Sequence, residues 1–232
     1  MSQPFSAAMS QVGPDSDVVV TSRVRLARNI SGFPFISRAS NPVRQEIMRV
    51  VRRAVDQSCN GIDHDQGMRW IELQSAPSRD RILLSERHLV SRHFANSEGP
   101  RALALSSDEH SSIMVNEEDH LRIQFLCAGS RLSDAFKEAF ALENALANCT
   151  NFSFHPRWGY LTACPTNVGC GIRMSAMLHL PGAQIMKETD RIKRAAKELH
   201  LAVRGYYGEG SESIGDFFQF SNQIDSKTER NL

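Results

Sequence analysis

Residues 112–127 read SIMVNEEDHLRIQFLC. Two apolar runs flank a polar knot of three consecutive carboxylates, Glu117, Glu118 and Asp119, followed by His120 and Arg122. Short apolar runs on either side of a polar break predict strands over 112–116 and 120–127. The acids therefore stand at a strand end, held next to a fixed positive charge.

Working outward, the same signals predict strands over 17–21, 68–74, 101–106, 173–180, 201–206 and 216–221. Asn41-Pro42 is a helix start, with Val43, Ile47, Val50 and Ala54 at helical spacing. Further helices are predicted over 79–91, 133–148 (Phe136, Phe140 and Leu146 inward) and 187–200. Runs of adjacent strands mixed with a few long helices predict an α+β fold, a mainly antiparallel central sheet flanked by helices. Residues 1–16 are polar and contain Gly13-Pro14, a mobile lead-in. No repeat or linker divides the remainder, so 17–232 is read as one domain.

Composition excludes several classes. No apolar run reaches the length of a membrane-spanning helix, and no secretory leader opens the chain. The net charge of +1 gives no reason to expect nucleic acid. The five cysteines are scattered, with no CxxC pair, which favours reduced thiols in the cytoplasm over a zinc site or disulfides. Five lysines stand against twenty-two arginines. Genomic base composition accounts for such a bias, and so does a need for planar forks that grip oxyanions.

Position separates those two explanations. No Walker loop and no GxGxxG is present. Instead Arg23, Arg25, Arg122, Arg173 and Arg204 recur at the ends of candidate strands, and alternation puts Arg23 and Arg25 on one face. Such a cluster repels itself unless an anion binds, and a triphosphate is the obvious anion. Residues 204–213, RGYYGEGSES, form a glycine-rich loop carrying Glu209. NEEDHLR alone is compatible with a solvated turn. With Glu209 facing Glu118 across a cleft, the pair suits a cationic, fork-shaped acceptor such as a guanidinium.

Four blocks carry a family resemblance: SRVRLARN at 22–29, NEEDHLR at 116–122, CPTNVGCGIRMSAM at 164–177 and RGYYGEGSES at 204–213. In this order they resemble the phosphagen kinase catalytic domain of arginine and creatine kinases, which has a glutamine synthetase-like fold. Within that superfamily they are most similar to the bacterial protein arginine kinases of the McsB type. Barely twenty residues precede SRVR, where small-molecule phosphagen kinases carry a helical domain, and Met177 replaces their histidine. The helical C-terminal domain of the McsB type is expected to be absent or truncated.

The resemblance implies an ATP- and Mg2+-dependent kinase acting on arginine side chains of proteins, with Glu118 as base and Glu209 as second clamp. The alternatives are a small-molecule guanidino kinase and a non-catalytic module binding ATP or phosphoarginine. Cys164 matches a thiol beside the substrate guanidinium; a buried hydrophobe is the other reading. The implied nucleotide contacts are Arg23, Arg25, His88, Arg122, Arg173, Met174, Ser175, Ala176, Met177, Arg204, Gly205, Tyr206, Tyr207 and Gly208. His93 competes with His88, and His120 is as readily structural as a ligand. Protein substrates, including a heat-shock repressor, a zinc-binding activator and a Clp protease system are the implied partners, in the cytoplasm.

Overall fold

The computed structural model describes residues 11–58, 67–205 and 214–222. Strand β1 (Val19–Arg28) leads to helix α1 (Asn41–Ser58), β2 (Met68–Glu72), α2 (Ser78–Glu86) and α3 (Arg92–Asn96). Then come β3 (Ala102–Ser106), β4 (Ser111–Val115), β5 (Leu121–Ala128) and α4 (Leu132–Ala147). A small hairpin, β6 (Phe154–His155) and β7 (Gly159–Tyr160), precedes β8 (Ile172–His179). The chain continues through α5 (Pro181–Ile185), α6 (Thr189–Glu198), β9 (Leu201–Gly205) and β10 (Phe217–Asn222).

Among the described residues eight strands make one sheet in the order β2-β3-β4-β5-β1-β8-β10-β9, every neighbouring pair antiparallel. This is the expected α+β architecture. Because successive side chains point to opposite faces, each strand serves two environments. On one face Val24, Leu26, Ile113, Val115, Leu121 and Ile123 pack beneath α1 and α4. Each such side chain, fully buried, is worth about 1.5–3 kcal/mol. On the other face, Leu103, Leu105 and Met114 form a second core with Leu84, Leu89, Val90 and Phe94 from the α2–α3 segment. That cover is confined to one end of the sheet, and the remainder of this face carries the arginines among a few apolar residues such as Leu126 and Met177.

Three local differences from the expected pattern have clear causes. Helix α2 stops at Glu86 instead of running to 91, because His88 adopts φ 58 and the N–H groups of Leu89 and Val90 both return to the Leu84 carbonyl. Helix α3 then starts afresh, its Ser91 hydroxyl accepting from Phe94 N–H at 3.0 Å. On α4 the inward stripe is Ala135, Ala139, Leu142 and Leu146; Phe140 lies outside it, 42% exposed and stacked on Phe136. Alanines at the contact let the helix sit close to β1 and β5.

Helix α4 is also fixed by charge. Arg28, on the helix-covered face of β1, is buried and bonds Glu143 of α4 through its Nε. Residues 1–10 fall outside the described residues; of the lead-in's remainder, the Pro14 carbonyl accepts from Ser130 N–H at 2.8 Å. Among the described residues no helix is long and apolar enough to cross a membrane.

Candidate active site

The register of the open face brings the arginines together. Arg25 lies opposite Arg173 and Arg23 opposite Ser175 across β1–β8, while Arg122 of β5 lies opposite Ala27. Directly paired residues of antiparallel strands share a face, so Arg23, Arg25, Arg122 and Arg173 form one patch. The same parity runs through Met177 and Gln219 to Arg204 of β9. Gly205 follows Arg204 as the last residue of that strand.

The electrostatics match this picture. Burial, then Arg173 and Arg122, lower the pKa of Arg23 to about 10. Arg25 is driven well below its ordinary value by burial and by Arg23, Arg122 and Arg173, against a smaller opposing pull from Glu117. Both are held where positive charge is disfavoured. The Nε of Arg25 is also closed off from solvent with no hydrogen-bond partner. Anionic oxygens entering here would relieve both costs.

The acid turn is fastened at each residue. Asn116, at φ 64, donates through its side-chain amide to the carbonyls of Arg44 and Pro100. Glu117 is nearly buried, pairing with Arg122 Nη1 at 2.7 Å and accepting from the Ser91 hydroxyl at 3.2 Å. Glu118 points outward, 47% exposed, with one oxygen 3.2 Å from Arg122 Nη2. Asp119 is buried and accepts from Asn29 Nδ2 at 2.6 Å and Ala163 N–H at 2.7 Å. His120 is a structural residue: its Nδ1 accepts from Ile30 N–H, its Nε2 donates to the Pro34 carbonyl, and burial lowers its pKa.

The Asp119–Ala163 bond ties the acid turn to the loop bearing Cys164. The Cys164 thiol is half-buried with Thr166 Oγ1 at 2.9 Å, and so is not packed as a core hydrophobe. Gly171, at φ +59, passes so close to β1 that a Cβ would lie 2.7 Å from Arg28 Nη1 and 2.9 Å from the Ala27 carbonyl. That approach starts β8 in the register that places Arg173.

Of the two histidines, His88 is the one at the site. It lines a small cavity with Arg23, Ser175, Met177 and Gln219, and burial, Arg23 and Arg92 lower its pKa to about 4. His93 lies on α3, beside Ser97. Ser175 and Met177 face the site, whereas Met174 and Ala176 pair with Val24 and Ser22 on the opposite face, where Met174 packs against the core. Tyr206, Tyr207, Gly208 and Glu209 lie outside the described residues.

Sequence reasoning missed several residues of the site: Glu117 as the buried partner of Arg122, Ser91 behind it, and Gln219 and Ser221 of β10. Gln219 donates to Ser175 at 3.0 Å, and Ser221 accepts from Arg173 at 2.9 Å. The signal was available in FQFS at 218–221, where polar residues alternate with phenylalanines.

The profile of the ATP:guanido phosphotransferase C-terminal catalytic domain matches residues 47–229. A protein-arginine kinase of Geobacillus kaustophilus (strain HTA426) is 46% identical over 220 residues, covering 94% of this chain and 60% of that protein. One of Brevibacillus brevis is 41% identical over 224 residues, covering 97% and 62%. The chain thus spans about three fifths of the length of the curated relatives it matches. Among solved structures, the duplicated taurocyamine kinase of Schistosoma mansoni superposes with a TM-score of 0.81 at 24% identity, covering 96% of this chain and 31% of that one. A lombricine kinase does so at 0.78 and 24%, covering 96% and 65%. These likenesses bear on the fold. Profile, register and arginine patch agree, and the chain belongs to the ATP:guanido phosphotransferase family through its catalytic domain.

Proposed function

We propose that this chain is the catalytic unit of an ATP-dependent kinase that phosphorylates arginine side chains of proteins on a guanidino nitrogen. The observation that carries this reading is the patch of Arg23, Arg25, Arg122 and Arg173, whose mutual repulsion Glu117 and Glu118 only partly offset. A triphosphate supplies the missing negative charge, and planar forks suit its oxygens. Arg204 extends the grip toward the glycine-rich loop. Magnesium bound to the nucleotide would neutralise phosphate charge, and because it keeps several waters it would need few protein ligands. Among the described residues no group of three or more His, Cys, Asp or Glu is placed to hold a metal ion.

The acceptor guanidinium is a poor nucleophile while fully protonated. Glu118, half exposed at the edge of the patch, accepts a proton from the attacking nitrogen as the N–P bond forms and the bond from the γ-phosphorus to the ADP oxygen breaks. Glu209 is the second carboxylate of the clamp, and Cys164 lies beside the acceptor. Alignment of donor and acceptor contributes on the order of 7–11 kcal/mol in well-oriented cases.

A protein acceptor is favoured over free arginine by the 46% and 41% identity to protein-arginine kinases. A zinc-binding activator and a Clp protease system, in the cytoplasm, are the partners this reading implies. The test is incubation with ATP and Mg2+ and either an unfolded protein or free arginine, followed by mass spectrometry under non-acidic conditions. Phosphoarginine on the protein is the expected product. Phosphate on free arginine alone would make this a small-molecule kinase, and ATP binding without transfer to either would make it a binding module.

A further inference from the structure

On the helix-covered side of the sheet, far along the strand order from the arginine patch, a cavity of about 270 Å³ opens between α1 and β2. Gln45, Arg49 and Arg52 line it from α1, and Trp70 and Gln74 from β2 and the turn after it. Three arginines meet one acid there, Glu72. Arg101 is buried and already engaged by the carbonyls of Phe94, Ala95 and Gly99, so Arg49 and Arg52 are the exposed cations that can meet a ligand. Arg49 shares its charge with Glu46, while Arg52 lies over the Trp70 ring, 5.8 Å from its centroid. The Trp70 indole N–H is shut away from solvent and has no hydrogen-bond partner.

Two further features define what would fit. Strand β2 ends the sheet, pairing only with β3 among the described residues, so its outer edge offers backbone N–H and C=O groups. Arg53 continues the row of arginines along α1 into an adjoining depression that it shares with Arg49, Arg52 and one acid, Asp56. An edge strand with an alternate-residue pocket receives an extended polypeptide, the backbone supplying affinity and the pocket selecting a side chain. Here the pocket is cationic, with the Trp70 ring in its wall.

We propose that the α1–β2 groove is a docking site for an extended acidic segment of a partner protein. The segment adds to the outer edge of β2 and sends a carboxylate toward Arg52 and Arg49, beside the Trp70 ring that lines the groove. The site is separate from the nucleotide bed and does not depend on the proposed kinase activity.

The chain has two tryptophans, so two indole N–H signals report on it by nuclear magnetic resonance. The probe is a synthetic peptide of alternating Glu and Val, titrated into the whole chain with ATP and Mg2+ at saturation to occupy the arginine patch. The expected result is saturable binding that moves the Trp70 indole signal, assigned with Trp70→Phe, and leaves that of Trp158. Binding should weaken at least about tenfold in the exposed double variant R49E/R52E, with ATP affinity unchanged, and a Lys-Val peptide should not bind. An unmoved Trp70 signal, undiminished binding to R49E/R52E, or a groove closed by a dimer of this chain that excludes the peptide would each overturn the proposal.

Discussion

Arg25 and Arg173 stand directly opposite each other across the β1–β8 ladder, with Arg23 two residues along on the same face. Like charges placed opposite in a sheet destabilise it, by roughly 0.2–1 kcal/mol for a pair. A fold retains such a pair when the positions are needed for something other than stability. The arrangement therefore separates the stability of the empty protein from its affinity for an anion.

The first prediction uses that separation. Arg25→Gln should raise the melting temperature of the nucleotide-free protein, by up to about 2–4 °C for each kcal/mol of relieved repulsion. It should also abolish the stabilisation by ATP, which for the unaltered chain is about 2.7 kcal/mol at a hundredfold excess over Kd. Thermal melts with and without ATP-Mg2+ measure both effects. A variant that is less stable when empty yet still stabilised by nucleotide would remove Arg25 from the anion site.

The neighbouring glutamates should behave differently despite being adjacent in sequence. Glu118→Gln changes an outward, half-exposed carboxylate. It should fold normally, bind ATP, and lose phosphoryl transfer by at least about a hundredfold. Glu117→Gln removes the buried charge that pairs with Arg122 at 2.7 Å and receives the Ser91 hydroxyl. That variant should be less stable and bind ATP differently, because Arg122 loses its anchor. Calorimetry and initial rates on both variants test this; identical behaviour would contradict the division of roles.

Much of this was legible before any coordinates. Strand alternation gave the shared face of Arg23 and Arg25, and the acid turn between two apolar runs marked the edge of the site. Phe140 was misplaced because a phenylalanine at i+4 from another suggests a buried stripe, yet the alanines at 135 and 139 make the closer contact with the sheet. The end of α2 was missed because a histidine carries no warning of a positive φ. Alternation from Arg173 also divides Met174 and Ala176 from Ser175 and Met177, and the register with β1 carries that division out. Arg28 looked like the other arginines of its block, and only parity sends it to the helix side.

His88 gives a prediction in pH. Its pKa is about 4 in the folded protein against an ordinary 6.5, because burial and Arg23 oppose the imidazolium. Between those values the unfolded chain binds a proton that the folded one refuses, so stability falls as pH drops from 6.5 toward 4. Above that window the contribution is fully present, and below it this group removes nothing more. His120 acts in the same direction and is unaffected by the test. In His88→Asn, where asparagine tolerates the positive φ, the loss of stability between neutral pH and about pH 5 should be smaller. Urea midpoints at the two pH values measure it, and an unchanged difference would mean that His88 titrates normally.

The last prediction concerns Arg28 and Glu143, both side chains essentially buried. Arg28 also donates to the carbonyls of Ala27 and Cys170, at 2.7 and 3.0 Å, and lies 3.6 Å from the centroid of the Tyr160 ring. Glu143→Ala leaves that guanidinium without its carboxylate and should cost about 3–5 kcal/mol. Replacing both, as R28M/E143L, exchanges the pair for apolar packing and should recover most of the loss. Recovery of stability is not recovery of function, however. Arg28 holds the Cys170 carbonyl just before Gly171, whose close approach to Ala27 sets where β8 begins and hence where Arg173 points. The double variant should therefore unfold near the urea midpoint of the unaltered chain while binding ATP more weakly. Full ATP affinity in a stable double variant would show that β8 keeps its register without the buried pair.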